Sequence, residues 1–234
     1  MIQMQDTHLE IGALIFPQID QIDFTGPFEV LSRLSNSNFH VIGQQKTPVR
    51  DEGGLILTPG KTLSEAPLLD VLIVPGGLGV NVLMEDAEII SFIRRQVVAA
   101  KYVFSICTGA LLCGAAGLLK GVRATTHWRA LSLLQYFGAI PIDERVVIDG
   151  KFVSAAGVTA GIDGALRVAA LLRGDDAARR IQLFIQYAPE PPFDCGTPKD
   201  APAGILKAVE QATEKRMNDR VEVVRRVAAR LGGG

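Results

Sequence analysis

The chain has 234 residues, enough for one large domain or two small ones; 48% of them are hydrophobic and 21% are charged. This composition supports a sizeable buried core and excludes a largely disordered chain. With 24 basic and 25 acidic residues the net charge is −1, which argues against nucleic acid or an anionic membrane surface as the main partner.

Targeting and anchoring patterns are not evident. No apolar run reaches the roughly 18 to 20 residues of a membrane-spanning helix, and the segment MIQMQDTHLE has no basic region of the kind that opens a signal peptide. The cysteines number three and form no CxxC pair. Dispersed thiols are typical of a reducing compartment, so we expect a cytoplasmic protein without disulfides or a zinc site. The few histidines are scattered and give no metal-binding pattern.

In chain order, the first half alternates apolar strands with helices. Residues 9–17 (LEIGALIFP) predict a strand, and residues 22–34 predict a helix that Thr25-Gly26-Pro27 opens, because proline suits a first helical turn. Residues 38–44 predict a second strand, and residues 53–63 a short hairpin-like excursion. Then follow a strand ending in Pro75-Gly76-Gly77, an amphipathic helix over residues 86–100, the strand YVFSI over residues 102–106, and a helix after Cys107.

The second half begins with a short strand and a helix, over RATTHW (123–128) and residues 129–138. Residues 145–157 predict a hairpin turning at Asp149-Gly150. Two helices follow, then a proline-rich surface segment, and finally a charged amphipathic helix from Ile205 to Leu231. Its apolar stripe, which needs cover from the domain or from a second subunit, comprises Val209, Val221, Val224 and Ala228.

Buried strands alternating with amphipathic helices predict an α/β sandwich around a mostly parallel sheet. No repeat or long linker divides the chain, so we expect one domain over residues 1–234. Ligands of such sheets bind in the loops at the carboxyl ends of the strands. Three of these loops carry unusual residues, and we expect them to meet in one site.

The central candidate is Cys107, which stands where a strand runs directly into a helix. This is the layout of a nucleophile elbow, in which a helix N-terminus assists a thiolate. The alternative is a small buried hydrophobe, as most free cysteines are. Thr108 has a hydroxyl that can contact a thiolate or an intermediate, or simply cap the helix. Cys113 is expected in the core, and Cys195 carries no expected role.

The other two loops supply acids and glycines. Asp20 and Asp23 lie in the first, where Asp23 is either a catalytic acid or a helix cap, and Glu29 is expected in the first helical turn. In the second loop, Gly77 is either a plain turn residue or the donor of an exposed amide to an oxyanion. His127 is a candidate partner for the cysteine, or a packing residue beside Trp128.

Three motifs together resemble the DJ-1/PfpI superfamily, namely IVPGG (73–77), SICTGALLCGAAGLLKG (105–121) and RATTHW. The resemblance implies a flavodoxin-like three-layer sandwich with a nucleophile-elbow cysteine. Further stretches are similar, in the same order, to the isonitrile-hydrating branch of this superfamily. They are QIDFTGPFEVL, LMEDAEIISFIR, ERVVIDG, GVTAGID and YAPEPPFDCGTP.

That resemblance implies roles for individual residues. Cys107 matches the nucleophile, Asp23 the acid beside it, and Thr108 the hydroxyl after it. Gly77 matches an amide that forms the substrate pocket with the amide of Thr108. Val158 falls on a loop that packs near the cysteine. Apart from the resemblance, His127 is a candidate for the pocket lining as a residue that could face Cys107.

The implied activity is hydration of a small-molecule isonitrile to an N-substituted formamide through a thioimidate, with no metal or organic cofactor and a homodimeric assembly. Peptidases of the superfamily carry histidine directly after the cysteine, where this chain has Thr108, and this weakens a peptidase interpretation. Two alternatives stay open, a glyoxalase acting on methylglyoxal and a non-catalytic cysteine sensor.

Overall fold

The computed structural model describes residues 7–232. Residues 1–6, on which the expectation of no signal peptide largely depends, lie outside the described residues. Across the described part of the chain, no helix combines the length and the apolar character that crossing a bilayer requires.

The strands follow the chain in an order close to the predicted one. They are β1 (Leu9–Leu14), β2 (Ser37–Gly43), β3 (Val49–Arg50), β4 (Ile56–Leu57), β5 (Lys61–Thr62), β6 (Val71–Val74), β7 (Tyr102–Ile106), β8 (Arg123–Ala124), β9 (Ile140–Pro141), β10 (Val146–Asp149) and β11 (Phe152–Ala155).

The helices lie between and after these strands. They are α1 (Gln21–Leu31), α2 (Val80–Leu83), α3 (Ala87–Ala99), α4 (Gly109–Ala115), a 3₁₀ helix (Trp128–Phe137), α5 (Ala160–Arg173), α6 (Asp175–Phe184) and α7 (Ala203–Arg230).

Within residues 7–232 the main sheet has seven strands in the order β10-β11-β7-β6-β1-β2-β5. All neighbours are parallel except the β10–β11 hairpin. Helices α1, α5 and α6 pack together as one layer, and α3, α4, α7 and the 3₁₀ helix pack around the other face. The chain is therefore a flavodoxin-like three-layer α/β sandwich, as predicted.

The central strands form the core. Every residue of β6 is buried, as are Val103, Phe104 and Ile106 of β7. Burying one such side chain contributes about 1.5–3 kcal/mol to the stability of the fold. Because strands buried on both faces need apolar residues at every position, continuous apolar runs were sufficient to predict them. In the aligned register, Ser105 lies beside Val74, and Ile106 lies beside Ala155. The strands therefore end at one edge of the sheet, and the loops that follow them meet there.

The prediction for the start of α1 was wrong. The helix begins at Gln21 and is capped by Asp20, whose Oδ1 accepts a hydrogen bond from the Ile22 amide at 3.2 Å. Pro27 lies inside the helix rather than in its first turn. Asp23 occupies the first turn, and Glu29 is an exposed residue of the last turns, paired with Arg33 four residues on. Glu29 is therefore excluded from the site.

Other differences are local. The segment predicted as one hairpin-like unit, residues 53–63, contributes to two sheets. Its β4 pairs with β3, whereas its β5 joins the main sheet. The strand predicted over RATTHW is confined to β8, and the helix after it is a 3₁₀ helix. The predicted C-terminal helix begins slightly earlier, at Ala203. Its Val224 and Ala228 are buried on the domain, whereas Val209 stays 43% exposed, so only the C-terminal part of the predicted stripe is covered by this chain.

Candidate active site

The site is built on an elbow between β7 and α4. Cys107 has a left-handed backbone, with φ of +51°, which is uncommon outside glycine. Hydrogen bonds hold this conformation on both sides. The Cys107 amide donates to the Ala155 carbonyl at 3.0 Å, and Thr126 Oγ1 donates to the Cys107 carbonyl at 2.6 Å. A strained backbone that its surroundings hold in place is typical of functional sites.

The loops after β1 and β6 are joined beside this elbow. The Asp20 amide donates to the Gly76 carbonyl at 3.0 Å, and the Gly79 amide donates to the Gln18 carbonyl at 3.1 Å. These bonds bring the start of α1 against the Gly76-Gly77 turn. Asp23 consequently lies beneath the elbow, next to Cys107.

The carboxyl of Asp23 is fully buried. Its Oδ2 accepts a hydrogen bond from the Gly76 amide at 2.9 Å. Among the described residues, Oδ1 has no partner in good hydrogen-bond geometry. Burial, and then the charge of Asp20, raise the pKa of Asp23 well above its usual range, while the Gly76 amide and the Cys107 thiol oppose that rise. Asp23 therefore binds a proton more readily than an exposed carboxyl does.

Cys107 does not have the depressed pKa that its position at a helix start suggested. Burial, followed by the nearby Asp23 carboxyl, raises the pKa of this thiol well above its ordinary value. The Thr108 backbone amide and the Arg220 charge act in the opposite direction. The resting site is therefore a thiol beside a carboxyl, and the dipole of the short α4 is outweighed by burial.

Gly77 is hydrogen-bonded to Thr108. Its amide donates to Thr108 Oγ1 at 3.0 Å, and that hydroxyl also lies 3.3 Å from the Gly77 carbonyl. The amide is thus engaged with the Thr108 hydroxyl in this structure, and its role toward an oxyanion stays a prediction. The φ of +130° at this position favours glycine.

A cavity of about 180 Å³ opens onto the Cys107 side chain. Each predicted pocket residue lines it together with Cys107: Gly77, Thr108, His127 and Val158. Asp23 is not part of the lining and lies behind the cysteine. The structure therefore brings all the predicted site residues to one place.

His127 is a neutral lining residue. Its Nδ1 accepts a hydrogen bond from the Arg129 amide at 3.3 Å. Burial, then the charges of Arg220 and Arg129, lower the pKa of His127 to about 4. An imidazole of such low basicity is a poor general base near neutral pH. No acid orients its ring among the hydrogen bonds of the described residues.

Several lining residues were not predicted from the sequence. Glu52 lies in the turn between β3 and β4, and its Oε1 accepts a hydrogen bond from the Leu78 amide at 2.7 Å. Arg129 belongs to the 3₁₀ helix. Thr213, Met217 and Arg220 come from α7. Their spacing of four and three residues places them on one helical face, which is the signal that the sequence offered.

The remaining cysteines lie outside the site. Cys113 is buried in α4, as predicted for a core residue, and burial raises the pKa of its thiol to about 12. Cys195 lies in the proline-rich segment, and all three cysteines are free thiols. Within residues 7–232, no three His, Cys, Asp or Glu side chains are grouped so as to hold a metal ion.

Gly76 is tightly packed between Thr108 and Asp23, which leads to a testable prediction. A methyl group there would lie 2.6 Å from the Thr108 amide nitrogen and 2.8 Å from Asp23 Oδ2. We expect Gly76→Ala to destabilise the fold by about 1–3 kcal/mol, because the Thr108 backbone and the buried Asp23 side chain must shift. Urea unfolding measures this. Gly53→Ala is the matched control, since its methyl would approach nothing nearer than 3.5 Å. Equal unfolding free energies for both variants would contradict the tight packing.

The fold and this elbow define an α/β protein with a cysteine at the carboxyl edge of a parallel sheet. The model of the DJ-1/PfpI family matches residues 10–171, which include β1, the elbow and most of α5. The chain belongs to the DJ-1/PfpI family.

Three relatives place the chain within that family. It is 47% identical over 223 residues to an isonitrile hydratase from Pseudomonas putida, covering 95% of this chain and 98% of that protein. It is 26% identical over 136 residues to the glutathione-independent glyoxalase DJR-1.2 of Caenorhabditis elegans, covering 57% and 73% of the two chains. The crystal structure of a ThiJ/PfpI family protein from Pseudomonas syringae superposes with a TM-score of 0.90 at 36% identity, covering 93% of this chain and 90% of that one.

Proposed function

We propose that this protein is a hydro-lyase that adds water to an isonitrile and releases an N-substituted formamide. The observation that carries the proposal is the 47% identity with the Pseudomonas putida isonitrile hydratase over almost the whole length of both chains. The site supports it, because the Cys107 thiol and a buried carboxyl with a raised pKa meet below a small cavity.

In the proposed first step, Cys107 Sγ attacks the terminal carbon of the isonitrile. Asp23, whose pKa burial raises, gives a proton to that carbon and takes up the proton of the thiol. The S–H bond breaks while the S–C and C–H bonds form, and the product is a neutral thioimidate. A neutral pair suits this step, since no isolated charge has to form in a buried site.

In the second step, water adds to the thioimidate carbon and the nitrogen receives a proton, with Asp23 again passing protons between them. The tetrahedral adduct then collapses. Its C–S bond breaks, the hydroxyl proton returns to sulfur, and the formamide leaves. Thr108 Oγ1 accepts from the Gly77 amide and lines the same cavity as Cys107, which supports a contact with the sulfur or with a bound intermediate. His127 and Val158 shape the cavity around the substituent.

The direct test is product analysis with a compact alkyl isonitrile, run in parallel with methylglyoxal. We expect formamide from the first substrate and no lactate from the second. Lactate without formamide would overturn the proposal and place the protein with the glyoxalases. Absence of both products would favour a cysteine sensor.

The quaternary state is a further part of the proposal. We propose a homodimer, since Leu183 is 82% exposed, Phe184 is 72% exposed, and Phe193 and Val209 are also uncovered. Sedimentation equilibrium tests it, with an expected mass twice the 25.1 kDa of one chain. A single-chain mass would contradict it.

We also propose that residues 1–234 act as one domain and that the protein works in the cytoplasm. The packing of α7 on α4 and the 3₁₀ helix supports a single unit, and the three free thiols suit a reducing compartment. One cooperative unfolding transition by calorimetry is the expected behaviour of a single unit. Fractionation of cells would test the location, and recovery outside the cytoplasmic fraction would contradict it.

A further inference from the structure

Helix α7 covers the cavity above Cys107. Thr213, Met217 and Arg220 project from one of its faces into the cavity lining. The helix is anchored beyond the cavity by the buried Val224 and Ala228. Arg220 therefore lies between the packed end of the helix and the part above the cysteine.

The guanidinium of Arg220 makes two hydrogen bonds inside the site. Nη2 donates to the Gly77 carbonyl at 3.0 Å, and Nε donates to Asn81 Oδ1 at 2.7 Å. The Gly77 carbonyl is the same group that Thr108 Oγ1 approaches at 3.3 Å. Arg220 and the residue after the cysteine thus share one acceptor. A rigid planar fork fixes such an acceptor better than a lysine does.

We propose that Arg220 is a positioning residue for the Cys107–Thr108 corner: it holds the Gly77 carbonyl in place and supplies a fixed positive charge above the sulfur. The Gly77 carbonyl accepts from Arg220 Nη2 at 3.0 Å and from Thr108 Oγ1 at 3.3 Å, so Arg220 and the Thr108 side chain are fixed relative to each other through one backbone group. Arg220 acts through the backbone of the Gly76-Gly77 turn and through its positive charge, and it does not contact the reacting carbon.

The charged groups around the Cys107 sulfur show why the positive charge of Arg220 affects the pKa of that thiol. The acids nearby disfavour negative charge on Cys107, and Arg220 is the cation that opposes them most clearly. Burial lowers the pKa of Arg220, but Cys107 and Glu52 raise it again, and a guanidinium stays protonated in proteins. The titratable and charged groups that face the sulfur or its cavity are Asp20, Asp23, Glu52, His127, Arg129, Arg216 and Arg220.

The test uses the alkylation of Cys107 by iodoacetamide, which does not depend on any enzymatic activity. Arg220→Met removes the charge and the fork, while Arg220→Lys keeps the charge alone. In Arg220→Met we expect the apparent pKa of alkylation to rise by about one unit, and turnover of an isonitrile to fall about tenfold or more. In Arg220→Lys we expect the alkylation profile to stay near wild type while kcat still falls.

Arg226→Met is the matched control. Arg226 lies on the same helix and pairs with Glu85 at 2.9 Å, outside the cavity, and Glu85 keeps a second partner in Arg230 at 2.8 Å. Both readouts should stay at wild-type values in this variant. Thermal unfolding of each protein shows whether α7 remains packed.

The turnover measurement depends on the proposed hydratase function, but the alkylation measurement does not. The two inferences can therefore fail separately. If no formamide forms in wild type while Arg220→Met still shifts the alkylation profile, the hydratase proposal fails and the role of Arg220 stands. If a folded Arg220→Met alkylates and turns over like wild type, the inference is overturned. If Arg226→Met behaves like Arg220→Met, the effect belongs to helix packing, and the inference is likewise overturned.

Discussion

Cys107→Ala is expected to abolish formamide production, with kcat falling at least about a thousandfold. In the proposed reaction the sulfur forms the bond that converts a linear isonitrile into a hydratable thioimidate, and no other thiol lines the cavity among the described residues. Gas chromatography of the formamide gives the rate. Intact-protein mass spectrometry of wild type during turnover is expected to show an adduct of one isonitrile, absent from the variant.

The matched control is Cys113→Ala, six residues along the same segment. Cys113 is buried in α4 and faces the core, so its loss should lower the free energy of unfolding by about 1–2 kcal/mol and leave kcat close to wild type. Formamide production by Cys107→Ala at more than a few per cent of the wild-type rate would remove covalent catalysis from the mechanism. A Cys113→Ala protein as inactive as Cys107→Ala would show that the assay reports core damage.

Asp23→Asn is expected to lower kcat by about a hundredfold to ten thousandfold. The amide keeps the shape of the carboxyl and can still accept from the Gly76 amide, but it cannot carry a proton to the isonitrile carbon. The control is Glu29→Gln on the same helix, where the carboxylate is exposed and pairs only with Arg33 among the described residues. Wild-type turnover by Asp23→Asn would exclude Asp23 as the proton carrier.

The pH dependence of stability provides a second readout for Asp23. Because the pKa of this carboxyl is raised in the folded protein, the folded state binds its proton more tightly than the unfolded chain does. The resulting stability is fully present below the ordinary carboxyl pKa of about 4 and is lost as the pH rises through the raised folded value. The melting temperature of Asp23→Asn should therefore decline less with rising pH than that of wild type, and parallel curves would contradict the raised pKa.

The elements that were predicted well are those whose pattern depends on burial alone. Strands β6 and β7 are nearly continuous apolar runs. A run of this kind is typical of a strand buried on both faces at the centre of a parallel sheet. The start of α1 was missed because Thr25-Gly26-Pro27 resembled a helix opening. Asp20, whose side chain caps the helix, was a signal that the sequence did contain.

The site was predicted in outline, and its electrostatics were not. The elbow and its neighbours follow from the loop positions, but whether Cys107 is a thiol or a thiolate depends on how deeply it is buried. A helix start is visible in a sequence, whereas burial by α7 more than a hundred residues away is not. For the same reason Glu52 and Arg220 were missed, because a charged residue on a turn or an amphipathic helix gives no sign of the cavity it faces.

The cavity is lined by residues from two separate parts of the chain, and this has a practical consequence for engineering. The proposed nucleophile Cys107 and the proposed acid Asp23 lie within residues 10–171, where the family model matches. Thr213 and Met217 lie far beyond that limit and reach the cavity from above. A small library randomised at these two codons would reshape the entrance while leaving Cys107, Asp23 and the sheet unchanged. Selectivity and chemistry can then be varied separately in one scaffold.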